Sequence, residues 1–289
     1  MDAVTRIETA LKSAVMRAQG PGCPPKLARA IDYAIFPHGS FVRPRLCLAV
    51  AEACGDDQPG VSDAAAAAIE MLHCASLVHD DLPCFDDADL RRGKPSVHRR
   101  FGEPLAVLVG DAMIVMAFQT VAQAAALAPD RLASVSMVIA RSVGVPNGII
   151  AGQAWESEPD PDLAVYQRAK TGSLFVSAAV SGAAAAGADA TPWQALGATL
   201  GEAYQVADDL RDAVSDADEL GKPCGQDAVH NRPNAVAQLG VEGAMRHLEK
   251  LVRAAVESIP DCPGAQGLER LILGEAKRLV PRQLAQSAA

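Results

Sequence analysis

Apolar residues recur at steps of three and four along most of this chain, the period of an amphipathic helix, and proline and glycine interrupt the runs. The pattern predicts helices over residues 3–19, 26–35, 43–55, 62–81, 104–127, 130–144, 161–187, 192–215, 232–258 and 265–280. Pro44 falls in a first turn, where proline is tolerated, and Ser62-Asp63 ahead of an alanine run reads as an N-cap. The flanks of Pro146-Asn147-Gly148 do not alternate, so no hairpin is expected there, and no sheet is predicted elsewhere. About ten helices without a sheet point to an all-α bundle. No linker or charge block divides residues 1–289, so a single domain is expected.

Two segments break the amphipathic rule. Residues 62–81 and 192–215 are apolar on several faces, which marks buried helices, yet each ends in aspartates. Carboxylates beside low-dielectric material are costly unless a cation pairs with them. That conflict locates a candidate site.

Composition narrows the classes. A net charge of −9 and a pI near 5.2 argue against a general nucleic-acid binder. Seven scattered cysteines show neither a CxxC pair nor a zinc spacing, which fits a reducing compartment. The charged N-terminus lacks the apolar core of a signal peptide. The least polar stretch, Phe175 to Ala188, is too short and too rich in small residues to span a bilayer. A cytoplasmic protein without a transmembrane segment is the expectation.

The first aspartate cluster is SLVHDDLPCFDDADLRRGKPSVH at residues 76–98. Asp80 and Asp81 close the apolar run, and Pro83 breaks the helical hydrogen bonding just beyond them. A distortion at that proline would let Asp86 return beside Asp80. The second cluster, YQVADDLRD, sets Asp208 and Asp212 four apart on one helix face, with Asp209 between them. Magnesium takes one or two protein carboxylates and completes its shell with water and phosphate oxygens. Two carboxylate sets facing a shared cavity could therefore hold several ions around one diphosphate. A lone cluster of this kind is more often solvated surface. Two clusters on apolar helices, one followed by Arg91-Arg92-Gly93, reverse that judgement. Arg43, Arg91, Arg92, Lys170 and Lys222 each sit in a short motif with glycine or proline and could bind phosphate, arginine as a fork and lysine as a point charge.

These residues carry a resemblance to the trans-isoprenyl diphosphate synthases from about residue 25 to 240. It runs through GSFVRP at 39–44, HCASLVHDDLPCFDD at 73–87, RRGKPSVH at 91–98, Gly110-Asp111, Gly152-Gln153, KTGSLF at 170–175, YQVADDLRD at 204–212 and LGKPCGQD at 220–227. Within that family the chain most resembles the bacterial geranylgeranyl diphosphate synthases. The resemblance implies a helical bundle around a deep central cavity, a homodimer, and about three magnesium ions held with bound substrate by hard oxygen ligands. It implies that Asp80, Asp81 and Asp86, and likewise Asp208, Asp209 and Asp212, bind metal and the allylic diphosphate. Arg91, Lys170 and Lys222 match contacts to that same group. Arg92, Arg43 and His73 match contacts to isopentenyl diphosphate, and Thr171 and Gln205 match polar groups near a developing carbocation. Met71, Leu72, Ala75 and Ser76 lie where product length is set, and the small Ala75 points to a twenty-carbon product.

One departure is local. The family usually reads Gly-Gly-Lys-Arg-x-Arg-Pro where this chain has His38-Gly39-Ser40-Phe41-Val42-Arg43-Pro44. A lysine for the second substrate is thus replaced by Ser40 and an arginine by Phe41, which bears on affinity more than on chemistry. Gln226 stands where many members have lysine. A fifteen-carbon synthase, a regulatory subunit and a terpene cyclase are the alternatives. The last two typically lack one of the aspartate clusters, and both are present here. His79 reads as a capping or core-edge residue, and Trp155 and Trp193 as core.

Overall fold

The computed structural model describes residues 1–124, 126–160, 162–214 and 234–279. Their contacts divide into two compact units, residues 1–140 with 180–190, and residues 141–179 with the described residues beyond 190. The described chain is almost wholly helical, as the apolar period predicts.

The first unit is built on α4, Pro59–Asp80, with α1 (Ala3–Ala18), α2 (Pro25–Ile35), α3 (Val42–Ala53), α5 (Val97–Phe101) and α6 (Glu103–Ala124) around it. Helix α4 packs on α6, α3 and α1, and its Ile69, Met71 and Leu72 are fully buried. Each such side chain contributes roughly 1.5–3 kcal/mol. Helix α4 starts three residues earlier than the Ser62 cap predicts, with Pro59 in its first turn. Ser62 is instead fully buried, and its hydroxyl donates to Asp56 at 2.8 Å. Arg6 of α1 reaches into the same corner and pairs with Asp56 at 3.0 Å and Asp63 at 2.7 Å. The hydroxyl expected to cap the helix belongs to this knot of charges.

A close approach links α4 to α6. A Cβ on Gly110 would lie 2.0 Å from Nε2 of His79, so only glycine lets the ring settle there, against the Val107 carbonyl at 3.1 Å.

One small sheet exists against expectation. Leu90–Arg91 (β1) pairs antiparallel with Lys94–Pro95 (β2), joined by Arg92-Gly93. Both linking residues have left-handed φ, 53° and 72°, as a two-residue type I′ turn requires.

Helix α7, Pro129–Val143, leads into the second unit. Here α8 (Ile149–Ala154) runs into a single 3-10 turn, Trp155–Ser157. The helix expected over 161–187 proves to be three pieces: α9 (Leu163–Gln167), a π-helical turn at Arg168–Gly172, and α10 (Ser173–Ala185). Helix α11, Trp193–Val214, packs on α12, Ala235–Glu257, and α13, Ala265–Leu279, follows. Ala203, Val206, Ala207 and Leu210 meet Ala244, Leu248 and Leu251 in that unit's core. Gly240 kinks α12 with a left-handed φ of 67°.

Among the described residues, two helices, α4 and α6, are long and apolar enough to cross a membrane by length and composition, whereas the sequence pattern points to 175–188 as the least polar stretch. The apolar stretch of α4 is 78% buried, as in a core helix, whereas that of α6 is only 44% buried. Leu108 and Val115 of α6 stay more than half exposed.

Candidate active site

In the first unit, α4 delivers Asp80 at its last turn, and the chain then doubles back. The Asp86 N–H donates to the Asp80 carbonyl at 2.9 Å, which returns Asp86 to the end of α4. Asp81 behaves differently from its neighbours. It is buried, and its Oδ1 accepts from Arg91 Nε at 2.9 Å and from Nη2 at 2.5 Å. Burial raises its carboxyl above the usual range, while Arg91 pulls it down. Asp81 is therefore the anchor of Arg91, whereas Asp86 is exposed.

The hairpin carrying Arg91 and Arg92 is pinned to α2. Lys94 Nζ donates to the carbonyls of Tyr33 (2.5 Å) and Phe36 (2.9 Å), and the Tyr33 hydroxyl donates to the Pro95 carbonyl at 2.7 Å. Arg92 lies over Gly39, where an added Cβ would sit 3.0 Å from its Nη2, and its Nη2 is 3.9 Å from Glu70 of α4. His73, on the same helix, is held well below the usual imidazole range, first by desolvation and then by Arg43, Arg92 and Arg91. A neutral ring results, which can accept or donate a hydrogen bond without adding charge.

The unusual loop before α3 is rebuilt around its aromatic ring. Phe41 is buried with a left-handed φ of 54° and stacks on His38 at 3.9 Å. His38 contacts the Gly39 carbonyl at 2.6 Å and Glu8 of α1 at 2.9 Å, while Ser40 is exposed. Of the product-length residues, Met71, Leu72 and Ala75 are buried and Ser76 is half-buried, its hydroxyl donating to the His73 carbonyl at 2.9 Å.

In the second unit, the π-helical turn presents Lys170 and Thr171. Such turns are frequent at functional sites. Lys170 Nζ donates to Glu156 at 2.6 Å, and Glu156 also accepts from Tyr166 and Gln153. A Cβ on Gly152 would come within 2.4 Å of the Lys170 backbone nitrogen, so α8 and the π-turn touch only because position 152 has no side chain. Thr171 donates to Gln205 at 3.0 Å, Gln205 donates to Asp209 at 3.0 Å, and the Ala235 N–H donates to Asp209 at 2.7 Å. Asp209 is buried and ties α11 to the start of α12. Asp208 and Asp212 lie one turn apart on α11, Asp208 pairing with Arg211 at 3.1 Å. Lys222 and Gln226 lie outside the described residues.

Among the described residues no three His, Cys, Asp or Glu side chains converge as a metal cage. The donor chemistry still fits magnesium, which takes one or two carboxylates and leaves the remaining positions to water and phosphate. Asp80 with Asp86, and Asp208 with Asp212, are such pairs of hard oxygen donors. Each aspartate cluster thus separates into outer residues and a buried anchor, Asp81 or Asp209.

Three residues here escaped sequence reasoning: Glu70, Lys94 and Glu156. A charged residue inside an apolar helix is a legible signal for Glu70. Lys94 sits inside the RRGKPSVH motif, but its role, like that of Glu156, depends on contacts that only the fold brings together.

A polyprenyl synthetase family profile matches residues 24–265. The chain belongs to the polyprenyl synthetase family. Among its relatives, a geranylgeranyl diphosphate synthase of Cereibacter sphaeroides is 56% identical over 280 residues, 97% of each chain. One from Rhodobacter capsulatus is 51% identical over 92% of each. A geranyltransferase from Helicobacter pylori, solved with magnesium and isoprenyl diphosphate, is similar at 27% identity with a TM-score of 0.78, covering 96% of this chain and 98% of that one. The family membership makes this chain a trans-prenyltransferase with the all-helical architecture of isoprenoid synthases.

Proposed function

We propose that the chain is a magnesium-dependent geranylgeranyl diphosphate synthase, condensing isopentenyl diphosphate head-to-tail with allylic diphosphates. The observation that carries this reading is the 56% identity to a synthase of that product across 97% of both chains. In this reading Asp80, Asp86, Asp208 and Asp212 would hold magnesium. Bound there, the metal supplies positive charge that neutralises the leaving diphosphate.

The chain's own residues do the rest. Arg91, locked by Asp81, and Lys170, aimed by Glu156, offer charge-assisted hydrogen bonds to the allylic diphosphate. Thr171 and Gln205 present fixed dipoles to the carbon that gains positive charge on ionisation. Arg43, Arg92 and neutral His73 orient isopentenyl diphosphate, whose double bond attacks that carbon. The proton then lost is taken by the released diphosphate.

A homodimer is part of the proposal. The exposed apolar positions on α6, Leu108 and Val115, lie two turns apart, as helix packing against a second copy requires. A cytoplasmic location is likewise part of the proposal. Product chromatography after incubation with magnesium, labelled isopentenyl diphosphate and dimethylallyl diphosphate tests the assignment. A main product of twenty carbons is expected. Arrest at fifteen carbons would replace the product assignment, and no incorporation would overturn the reading.

A further inference from the structure

Helix α4 carries a carboxylate that the metal chemistry does not use. Glu70 is 3% exposed and lies three residues before His73, between the fully buried Ile69 and Met71. A lone carboxylate there would be strongly disfavoured. Its compensation is visible. Arg92 Nη2 lies 3.9 Å from Oε1, and the Cys74 thiol is also 3.9 Å from that oxygen. Burial pushes the Glu70 carboxyl up, while Arg92, then Arg43 and His38, draw it back. At 3.9 Å the pair with Arg92 is held by charge and not by a hydrogen bond, so it does not use up the guanidinium N–H groups. On its other side Arg92 rests on Gly39, whose missing side chain makes room for it.

The neighbouring loop makes this carboxylate more consequential. Ser40 stands where the family usually has lysine, and Phe41 is turned inward onto His38. Arg43, Arg92 and Arg91 all act on His73, and Lys94 feels Arg92 as well, so cations gather in this part of the site. A buried anion beside Arg92 offsets the repulsion among them.

We propose that Glu70 is a positioning residue for the second diphosphate. From inside α4 it holds Arg92 in the orientation that receives isopentenyl diphosphate, without touching substrate itself. The inference rests on the function proposed above.

Steady-state kinetics on the full chain at saturating magnesium, varying each substrate separately, tests it. Glu70→Gln keeps the shape and removes the charge. It is expected to raise KM for isopentenyl diphosphate about tenfold, the scale of one charge-assisted contact. KM for the allylic diphosphate and kcat should stay within about twofold, a split that general damage to the fold would not produce. In an Arg92→Gln background the same change should have little further effect, because Glu70 acts through Arg92. Should Glu70→Gln fail to fold, Glu70→Asp retains the charge one methylene back and is expected to show the same split at about threefold. An unchanged or lowered KM for isopentenyl diphosphate, equal changes for both substrates, or full additivity with Arg92→Gln would overturn the proposal. A wild-type chain that consumes no isopentenyl diphosphate would instead overturn the function itself.

Discussion

Asp80 and Asp81 are adjacent, yet one ends a helix beside Asp86 while the other is buried under Arg91. The sequence displays the aspartates and arginines of the site but does not distinguish ligand from anchor, because that depends on which carboxylate the fold buries. The same holds for Asp208 and Asp209 on α11. Asp80→Ala or Asp208→Ala is expected to abolish turnover while circular dichroism stays native, since each change also relieves repulsion within an acidic cluster. Near-normal turnover in either variant would remove these residues from the metal set. Position 40 offers the opposite experiment. Ser40 is exposed beside a loop already closed by the Phe41–His38 stack, so an added lysine has room to extend. A charge-assisted bond to phosphate contributes about 1.5–3 kcal/mol, so Ser40→Lys should lower KM for isopentenyl diphosphate by about tenfold or more. The rate at saturation should hold, because uniform binding does not speed the chemical step. An unchanged or raised KM would mean that the aromatic stack has redirected the loop.

Among the helices, the apolar period locates most members, and each failure has its own cause. The expected helix over 161–187 is legible as helical but not as interrupted, since a π-helical turn keeps the same apolar residues and changes only the hydrogen-bond register. The Ser62 cap fails because tertiary contacts with Asp56 claim its hydroxyl. The hairpin at 90–95 is invisible because two-residue strands are too short to alternate. The π-turn is supported from outside by α8, and this gives a sharp test. In Gly152→Ala the new methyl would meet the Lys170 backbone at 2.4 Å, and backbone cannot swing aside. The variant is expected to lose about 1–3 kcal/mol of stability and, through displacement of Lys170, at least roughly tenfold in turnover. Gly267→Ala is the matched control on α13, with nothing within 4 Å of the added carbon. It should leave activity intact and stabilise the chain by up to about 1 kcal/mol. Parallel melting curves and turnover assays on the two variants decide the point.

At the scale of the whole molecule, the proposed function sets product length by the size of the side chains on α4. One helical turn rises about 5.4 Å, close to one isoprene unit, and Ala75 and Ser76 lie one turn before Asp80. Ala75→Tyr is expected to shift the main product from twenty carbons to fifteen with dimethylallyl diphosphate as primer. Radio-chromatography of both proteins checks this, and coincident product distributions would show that the growing tail does not pass Ala75. The hairpin turn has a further consequence. Arg92 holds a left-handed φ of 53°, which costs most side chains about 1–2 kcal/mol, whereas asparagine tolerates it well. Made together with Glu70→Gln, so that no buried carboxylate is left without its cation, Arg92→Asn should therefore raise the melting temperature while weakening isopentenyl diphosphate binding. Laboratory evolution would expose the conflict: libraries screened for heat tolerance alone should drift to asparagine or glycine at position 92 together with a neutral residue at position 70, and libraries screened for growth on the product should restore arginine and glutamate. The residue found there in any descendant would then record which pressure had acted on it.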